Sequence, residues 1–208
     1  MMTLYGRPGW GSTLIEAQLL HYGLPFRFEE VGDLFASAEA RTALAAVNPL
    51  AQVPTLVLDD GRVMSESAAI TLYLADLTGR DDLVPGPHEA ERAAFLRWLV
   101  FLVANLYPTF TYADDPRRFV ADAAAAQAFR ARVDDYALSL WRIVETAAVG
   151  PWFLGERFSA LDLYIAVMTH WRPRRAWFAE AAPKLHAIAQ AVDADSGYAG
   201  VLARNFAS

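Results

Sequence analysis

The chain has 208 residues, 55% of them hydrophobic and 20% charged, with a formal net charge of −6 and no cysteine. That is enough for one large domain or two small ones with a real core, and it sets aside disorder, disulfide scaffolds, thiolate metal sites and cysteine nucleophiles. A net negative chain is a poor match for nucleic acid. The charge is uneven, with four Arg against nine acidic residues in 1–78 and 14 basic against 15 acidic residues beyond. An anionic ligand of the first part therefore needs local donors.

The opening residues, Met-Met-Thr-Leu-Tyr-Gly-Arg-Pro, carry no basic segment followed by an apolar one, so no secretory leader is expected. Residues 2–6 read as a short strand and 7–11 as a loop. From Ser12 the apolar positions Leu14, Ile15, Leu19 and Leu20 recur at helical spacing, and Gly23 closes that helix before Pro25. Phe26 to Val31 alternates apolar and polar as a half-buried strand does. A helix around 36–47 ends before Asn48-Pro49. Residues 55–58 and 62–64 form a hairpin about Asp59-Asp60-Gly61, and a helix follows over about 66–76.

Two details there point to a ligand. Pro54 interrupts an apolar run, Gln52-Val53-Pro54-Thr55-Leu56, where a missing N–H is normally penalised. Ser65-Glu66-Ser67 stands directly before a helix, where backbone N–H groups need partners. The stretch 79–87 is dense in turn formers and reads as a linker. Beyond it the periodicity is helical throughout, roughly over 88–112, 118–148, 159–172, 175–180 and 184–194. The longest apolar run, Trp98 to Leu106, is well short of the ~20 residues that span a bilayer and reads as a buried helix, so no membrane role is expected. In Phe158-Ser159-Ala160-Leu161-Asp162-Leu163, Ser159 is the helix cap and Asp162 reaches back to it, with Phe158 and Leu163 as staple.

The order βαβαββα over residues 1–78, a linker over 79–87 and an all-helical domain over 88–208 resembles the cytosolic glutathione transferases. The likeness is carried by Gln52-Val53-Pro54-Thr55-Leu56, by Glu66-Ser67 leading into Ala68–Leu74, and by the Phe158–Asp162 box. It covers essentially the whole chain and looks most like bacterial members. It implies a thioredoxin-like domain that binds glutathione, a cis Val53-Pro54 bond, and a helical domain that offers a hydrophobic substrate site. Val53 would pair through its backbone with the cysteinyl part of glutathione. The γ-glutamyl carboxylate would lie near Ser67 at the helix N-terminus, and Glu66 and Gln52 would hold the same end of the peptide.

A transferase must also stabilise the thiolate. Ser12, where the first helix begins, is the preferred donor and Tyr5 the alternative. Gly11 stands where some bacterial members carry a catalytic cysteine, so chemistry through a protein thiol is absent. Trp10, Tyr107, Phe110, Tyr112 and Trp171 are candidates for the electrophile's wall, and Pro108 should kink or end its helix. The four histidines (His21, His88, His170 and His186) show no ligand spacing, so no metal is expected. Arg172, Arg174 and Arg175 form a basic patch more in keeping with surface than with nucleic acid. The expected function is attack of the glutathione thiolate on a small hydrophobic electrophile, in a cytoplasmic homodimer. The alternatives are glutathione-dependent peroxide or disulfide reduction, or non-catalytic glutathione binding.

Overall fold

The computed structural model describes residues 1–206. The chain divides into two compact units, one holding Met1–Val84 and the chain from Val192 onward, the other Pro85–Ala191. The break at Val84–Pro85 lies in the Pro- and Gly-rich stretch 79–87, and the second break falls inside a helix.

The first unit is built on a four-stranded sheet: β1 (Met2–Gly6), β2 (Phe26–Glu30), β3 (Thr55–Val57) and β4 (Val63–Met64). The strand order is β2-β1-β3-β4, with β1 and β2 parallel and the other pairs antiparallel. Three helices connect the strands or follow them: α1 (Ser12–His21), α2 (Ala38–Ala45) and α3 (Ser67–Thr78). This is the thioredoxin-like arrangement expected from the element order. Leu4, Leu14, Ile15, Leu19, Leu56, Ile70 and Leu74 are fully buried and form its core. In β1 the side chains alternate, Met2, Leu4 and Gly6 buried and Thr3 and Tyr5 half-buried, so Tyr5 faces the side opposite Leu4. Gly6 is required by a close approach, because a Cβ there would lie 2.4 Å from the Ser12 Cβ.

The second unit is helical: α4 (Arg92–Phe101), α5 (Tyr107–Asp114), α6 (Ala123–Ala147), α7 (Ala160–Met168), α8 (Arg175–Ala181) and α9 (Pro183–Ala194), which runs on to Ala194 across the second break. Between α4 and α5 the chain widens into one π-helical stretch, Leu102–Leu106. Pro108 explains it. An α-helical proline removes one backbone bond and its ring collides with the carbonyl four residues back, and the wider turn relieves both. The expected kink is therefore a local widening, and the helical path continues to Asp114. By length and composition this path could cross a membrane. Phe95, Trp98, Leu99, Leu102, Leu106, Phe110 and Ala113 on it are nonetheless buried in the protein, as in a core helix. The core continues through Trp141 against Phe178, edge to face with centroids 4.8 Å apart.

Several element ends differ from the sequence reading for local reasons. Residues 86–89 form a turn in which the Gly86 N–H donates to the Glu89 carboxylate, so α4 starts at Arg92 instead of 88. A single 3-10 turn occupies Pro116–Arg118. Asp122 then caps α6 by accepting from the Ala125 N–H at 2.8 Å, which delays that helix to Ala123. α7 stops at Met168, short of Arg172-Pro173, where the residue before proline is steered out of helical geometry. The stretch after 194, where the sequence reading places no helix, forms α10 (Ser196–Phe206), with Tyr198, Val201 and Leu202 buried at helical spacing. It packs on α1 in the first unit. One of its anchors is Tyr198, whose hydroxyl lies 2.6 Å from His21 Nδ1, while His21 Nε2 lies 2.6 Å from the Asp82 carboxylate.

The predicted box at the start of α7 is present. Asp162, fully buried, accepts from the Ser159 N–H at 2.8 Å, from the Ser159 hydroxyl at 3.1 Å and from the Phe153 N–H at 2.7 Å. Burial pushes its carboxyl up to about 6 against the pull of those donors. It thus ties the loop before α7 to the helix. Asp162→Ala strands three donors in the interior and is expected to lower unfolding free energy by about 3 kcal/mol or more, read from chemical denaturation. A change under about 1 kcal/mol would mean the box is not a stability determinant.

Candidate functional site

The strand directions gather the candidate residues of the first unit at one end of the sheet. β1 and β2 are parallel, so both end there, at Gly6 and Glu30. β3 is antiparallel to β1, with Tyr5 opposite Thr55, so β3 begins there. The hairpin register, Leu56 opposite Met64 and Val57 opposite Val63, brings the end of β4 to the same place. Tyr5, the 7–11 loop, Gln52–Pro54 and Ser65–Ser67 therefore share one edge, the carboxyl end of the parallel pair, where open α/β sheets bind ligands.

The turn into β3 is organised by Asn48, which is 4% exposed. Its amide donates to the Thr55 hydroxyl at 2.9 Å and the Gln52 carbonyl at 3.3 Å, and accepts from the Leu50 N–H at 3.1 Å. The Thr55 hydroxyl in turn donates to the Gln52 carbonyl at 2.7 Å. Within this frame the Val53-Pro54 bond is cis, as expected. Val53 is half-buried and its own N–H and C=O make no hydrogen bond among the described residues. The Gln52 side chain stands at the exposed surface.

α3 begins without a cap. Glu66, at the cap position, has φ +65° and ψ +100°, and its side chain makes no capping bond. A non-glycine residue held there is strained by about 1–3 kcal/mol. The Glu66 carboxylate is exposed and has no ion-pair partner among the described residues. Ser67 follows, 8% exposed, and the N–H groups of Ser67, Ala68 and Ala69 have no acceptor among the described residues. Unpaired donors at a helix N-terminus favour an anion.

The two candidate hydroxyls differ. Ser12 is fully buried, and its hydroxyl donates to the Arg7 carbonyl at 3.1 Å and accepts from the Arg7 N–H at 3.0 Å. It braces the 7–11 loop. Tyr5 is half-buried and its hydroxyl makes no hydrogen bond among the described residues. Tyr5, Trp10 and Val53 pack together on Val31, Leu34 and Leu44. Trp10 also tilts against Phe35 at 5.0 Å and receives the Arg7 guanidinium over its ring at 5.5 Å.

In the second unit, Tyr107, Phe110 and Trp171 form one cluster, with centroids 5.4 Å apart for Tyr107–Trp171 and 5.1 Å for Phe110–Trp171. Tyr112 does not join it and packs on Phe119 at 5.0 Å. Arg172 pairs with Asp114 and Asp134, so it is occupied inside the protein and is not part of a free basic surface. Among the described residues no group of three or more acidic or histidine side chains is placed to hold a metal.

The profile of the glutathione S-transferase N-terminal domain matches residues 15–77. An uncharacterised GST-like protein of Escherichia coli K12, YncG, is 40% identical over 193 residues, 92% of each chain. The chain belongs to the glutathione S-transferase family. The transferase GstA of Escherichia coli O157:H7 is 28% identical over 82% of each chain. A glutathione transferase homologue from Sulfitobacter, solved with glutathione bound, superposes with a TM-score of 0.83 at 26% identity over 97% of this chain and 96% of that one.

Sequence reasoning missed Asn48, which looked like a helix stop ahead of a proline, and Asn205, whose amide meets the Gly9 N–H and the Thr13 hydroxyl from a helix that the sequence reading did not include. The strain at Glu66 gives a direct check within this transferase fold. Glu66→Gly relieves it and is expected to raise unfolding free energy by about 1 kcal/mol, whereas Glu66→Ala keeps the strain and gains nothing of the kind. Equal stabilities for the two variants, read by thermal denaturation, would show that the backbone there is unstrained.

Proposed function

We propose that this protein binds reduced glutathione at the carboxyl end of β1 and directs its thiolate at a small hydrophobic electrophile. The observation that carries the reading is the pair of unsatisfied backbone sets at one sheet edge, Val53 N–H and C=O beside the uncapped start of α3. A γ-glutamyl tripeptide supplies what both lack. Its cysteinyl residue offers an N–H and a C=O to Val53, in the manner of an added antiparallel strand. Its terminal carboxylate meets the N–H groups and hydroxyl of Ser67, and its α-amino group meets the Glu66 carboxylate, with Gln52 alongside. The family relatives and the glutathione-bound neighbour support the same ligand.

The thiol would then lie toward Tyr5 and the start of α1. The unengaged hydroxyl of Tyr5 supports it as the thiolate donor, and the two bonds from Ser12 to Arg7 support a bracing role for Ser12. Helix N-terminal N–H groups add to the stabilisation. Tyr107, Phe110 and Trp171 are proposed as the electrophile's apolar wall, with Trp10 beside the thiol and Tyr112 outside. A cytoplasmic homodimer is proposed from what is usual in the family.

Thiolate absorbance across a pH titration of bound glutathione tests this. The wild type is expected to lower the thiol's pKa by about two units, roughly 3 kcal/mol of preference for the anion. Tyr5→Phe should return most of that shift. Ser12→Ala should keep the shift and cost about 1–3 kcal/mol of stability by stranding Arg7's backbone. Saturable binding with an unshifted thiol would replace the transferase with a non-catalytic glutathione-binding protein.

A further inference from the structure

The last helix reaches the loop that joins the two candidate hydroxyls. Asn205 Oδ1 accepts from the Gly9 N–H at 3.0 Å and from the Thr13 hydroxyl at 2.7 Å. Its Nδ2 donates to Glu16 at 2.8 Å and to the Val201 carbonyl at 2.9 Å. These partners fix the orientation of the amide, because a flip would set donor against donor and oxygen against carboxylate. The Glu16 side chain, only 9% exposed, is held at its other oxygen by Arg204 at 2.8 Å. Gly9 has φ +78°, and a Cβ there would lie 3.0 Å from the Asn205 carbonyl oxygen. Glycine is needed for the loop conformation and for the approach of α10 alike.

Besides the Arg7–Asp33 ion pair and the packing of Trp10, two polar side chains among the described residues hold the loop. Ser12 braces it from inside through Arg7, and Asn205 holds it from outside through Gly9 and Thr13. It carries Trp10 and leads from β1, which bears Tyr5, into the N-terminus of α1. Its two fixed points are 192 and 196 residues from Asn205 in sequence, so the contact depends on α10 being docked.

We propose that Asn205 is a positioning residue for thiol activation, setting the 7–13 segment at the distance at which its donors and Tyr5 stabilise a thiolate. The proposal rests on the glutathione reading above. Donor distance governs such stabilisation steeply. The γ-glutamyl end is held elsewhere, by Val53, Glu66 and Ser67. Loss of the Asn205 amide therefore acts on the thiol and on kcat, and leaves the affinity for the rest of the peptide in place.

The test uses the full chain and three variants: Asn205→Ala, the exchange Asn205→Asp with Glu16→Gln, and Tyr198→Phe. The exchange keeps an acceptor for Gly9 and Thr13 and a donor–acceptor pair between positions 16 and 205, and gives up only the bond to the Val201 carbonyl. Tyr198→Phe removes the hydroxyl's bond to His21, away from the loop, and leaves α10 seated through buried Val201 and Leu202. Each is measured for hydrogen–deuterium exchange of residues 7–14, for binding of S-methylglutathione, which has no free thiol, and for the pKa of bound glutathione.

In Asn205→Ala, loop exchange is expected to rise about tenfold and the bound thiol's pKa to rise by about one unit, with S-methylglutathione affinity within about twofold. The double exchange should recover most of the pKa shift, and Tyr198→Phe should resemble the wild type. An unchanged thiol pKa in Asn205→Ala overturns the proposal, as does an equal effect of Tyr198→Phe, which would assign the role to α10 packing in general. A wild type that fails to bind S-methylglutathione overturns the glutathione reading itself, and that failure is distinct because it needs no variant to appear.

Discussion

Asn48 commits both ends of a buried amide to the turn that follows it, and the geometry of the sheet edge depends on that commitment. With Gln52 and Thr55 fixed, the chain enters β3 in a shape that leaves Val53 outside the ladder, its N–H and C=O unpaired. Backbone groups left this way cost free energy when away from water. They are tolerated at a half-buried position where a ligand or solvent can complete them. At the entry to β3, an interior strand, the turn thus leaves one residue's backbone open, and the proposed ligand is an extended peptide that completes it.

The same edge carries a second deficit. α3 starts at a strained residue with no side-chain cap, so its first N–H groups and its dipole face outward. The first 78 residues are net negative, so the anion proposed for this end of the sheet depends on those local donors against the wider field. The contrast with α7 is instructive. There Ser159 and Asp162 satisfy the helix start from within and the helix is fully buried, so it does structural work alone. One chain holds both kinds of helix start, one closed by its own side chains and one left open.

Much of this was legible in the sequence. The βαβαββα order, the hairpin at Asp59–Gly61 and the box at Ser159–Asp162 follow from periodicity and turn chemistry, because each is specified by residues close together in the chain. The Val53-Pro54 element and Glu66-Ser67 stood out because each breaks a local rule. What sequence could not show depends on loop shape, on side-chain direction and on contacts far apart in the chain. The hydroxyl of Ser12 is engaged by a residue five positions away in a loop whose shape has no periodic signature. Asn205 meets Gly9 across almost the whole chain. Tyr112 shares a helix with Phe110 but turns to Phe119, a division that helical spacing alone does not settle. The π-helical widening before Pro108 likewise needed the packed structure to separate it from a kink or a stop.

The open backbone at Val53 is the proposed docking point for glutathione. The most direct measurement is the backbone amide spectrum of the isotopically labelled protein as glutathione is added. Saturable shifts centred on Val53 and on Ser67 to Ala69 are expected, with the amides of β2 unmoved. Saturation with the shifts elsewhere, or no shift at Val53 at millimolar glutathione, would contradict it.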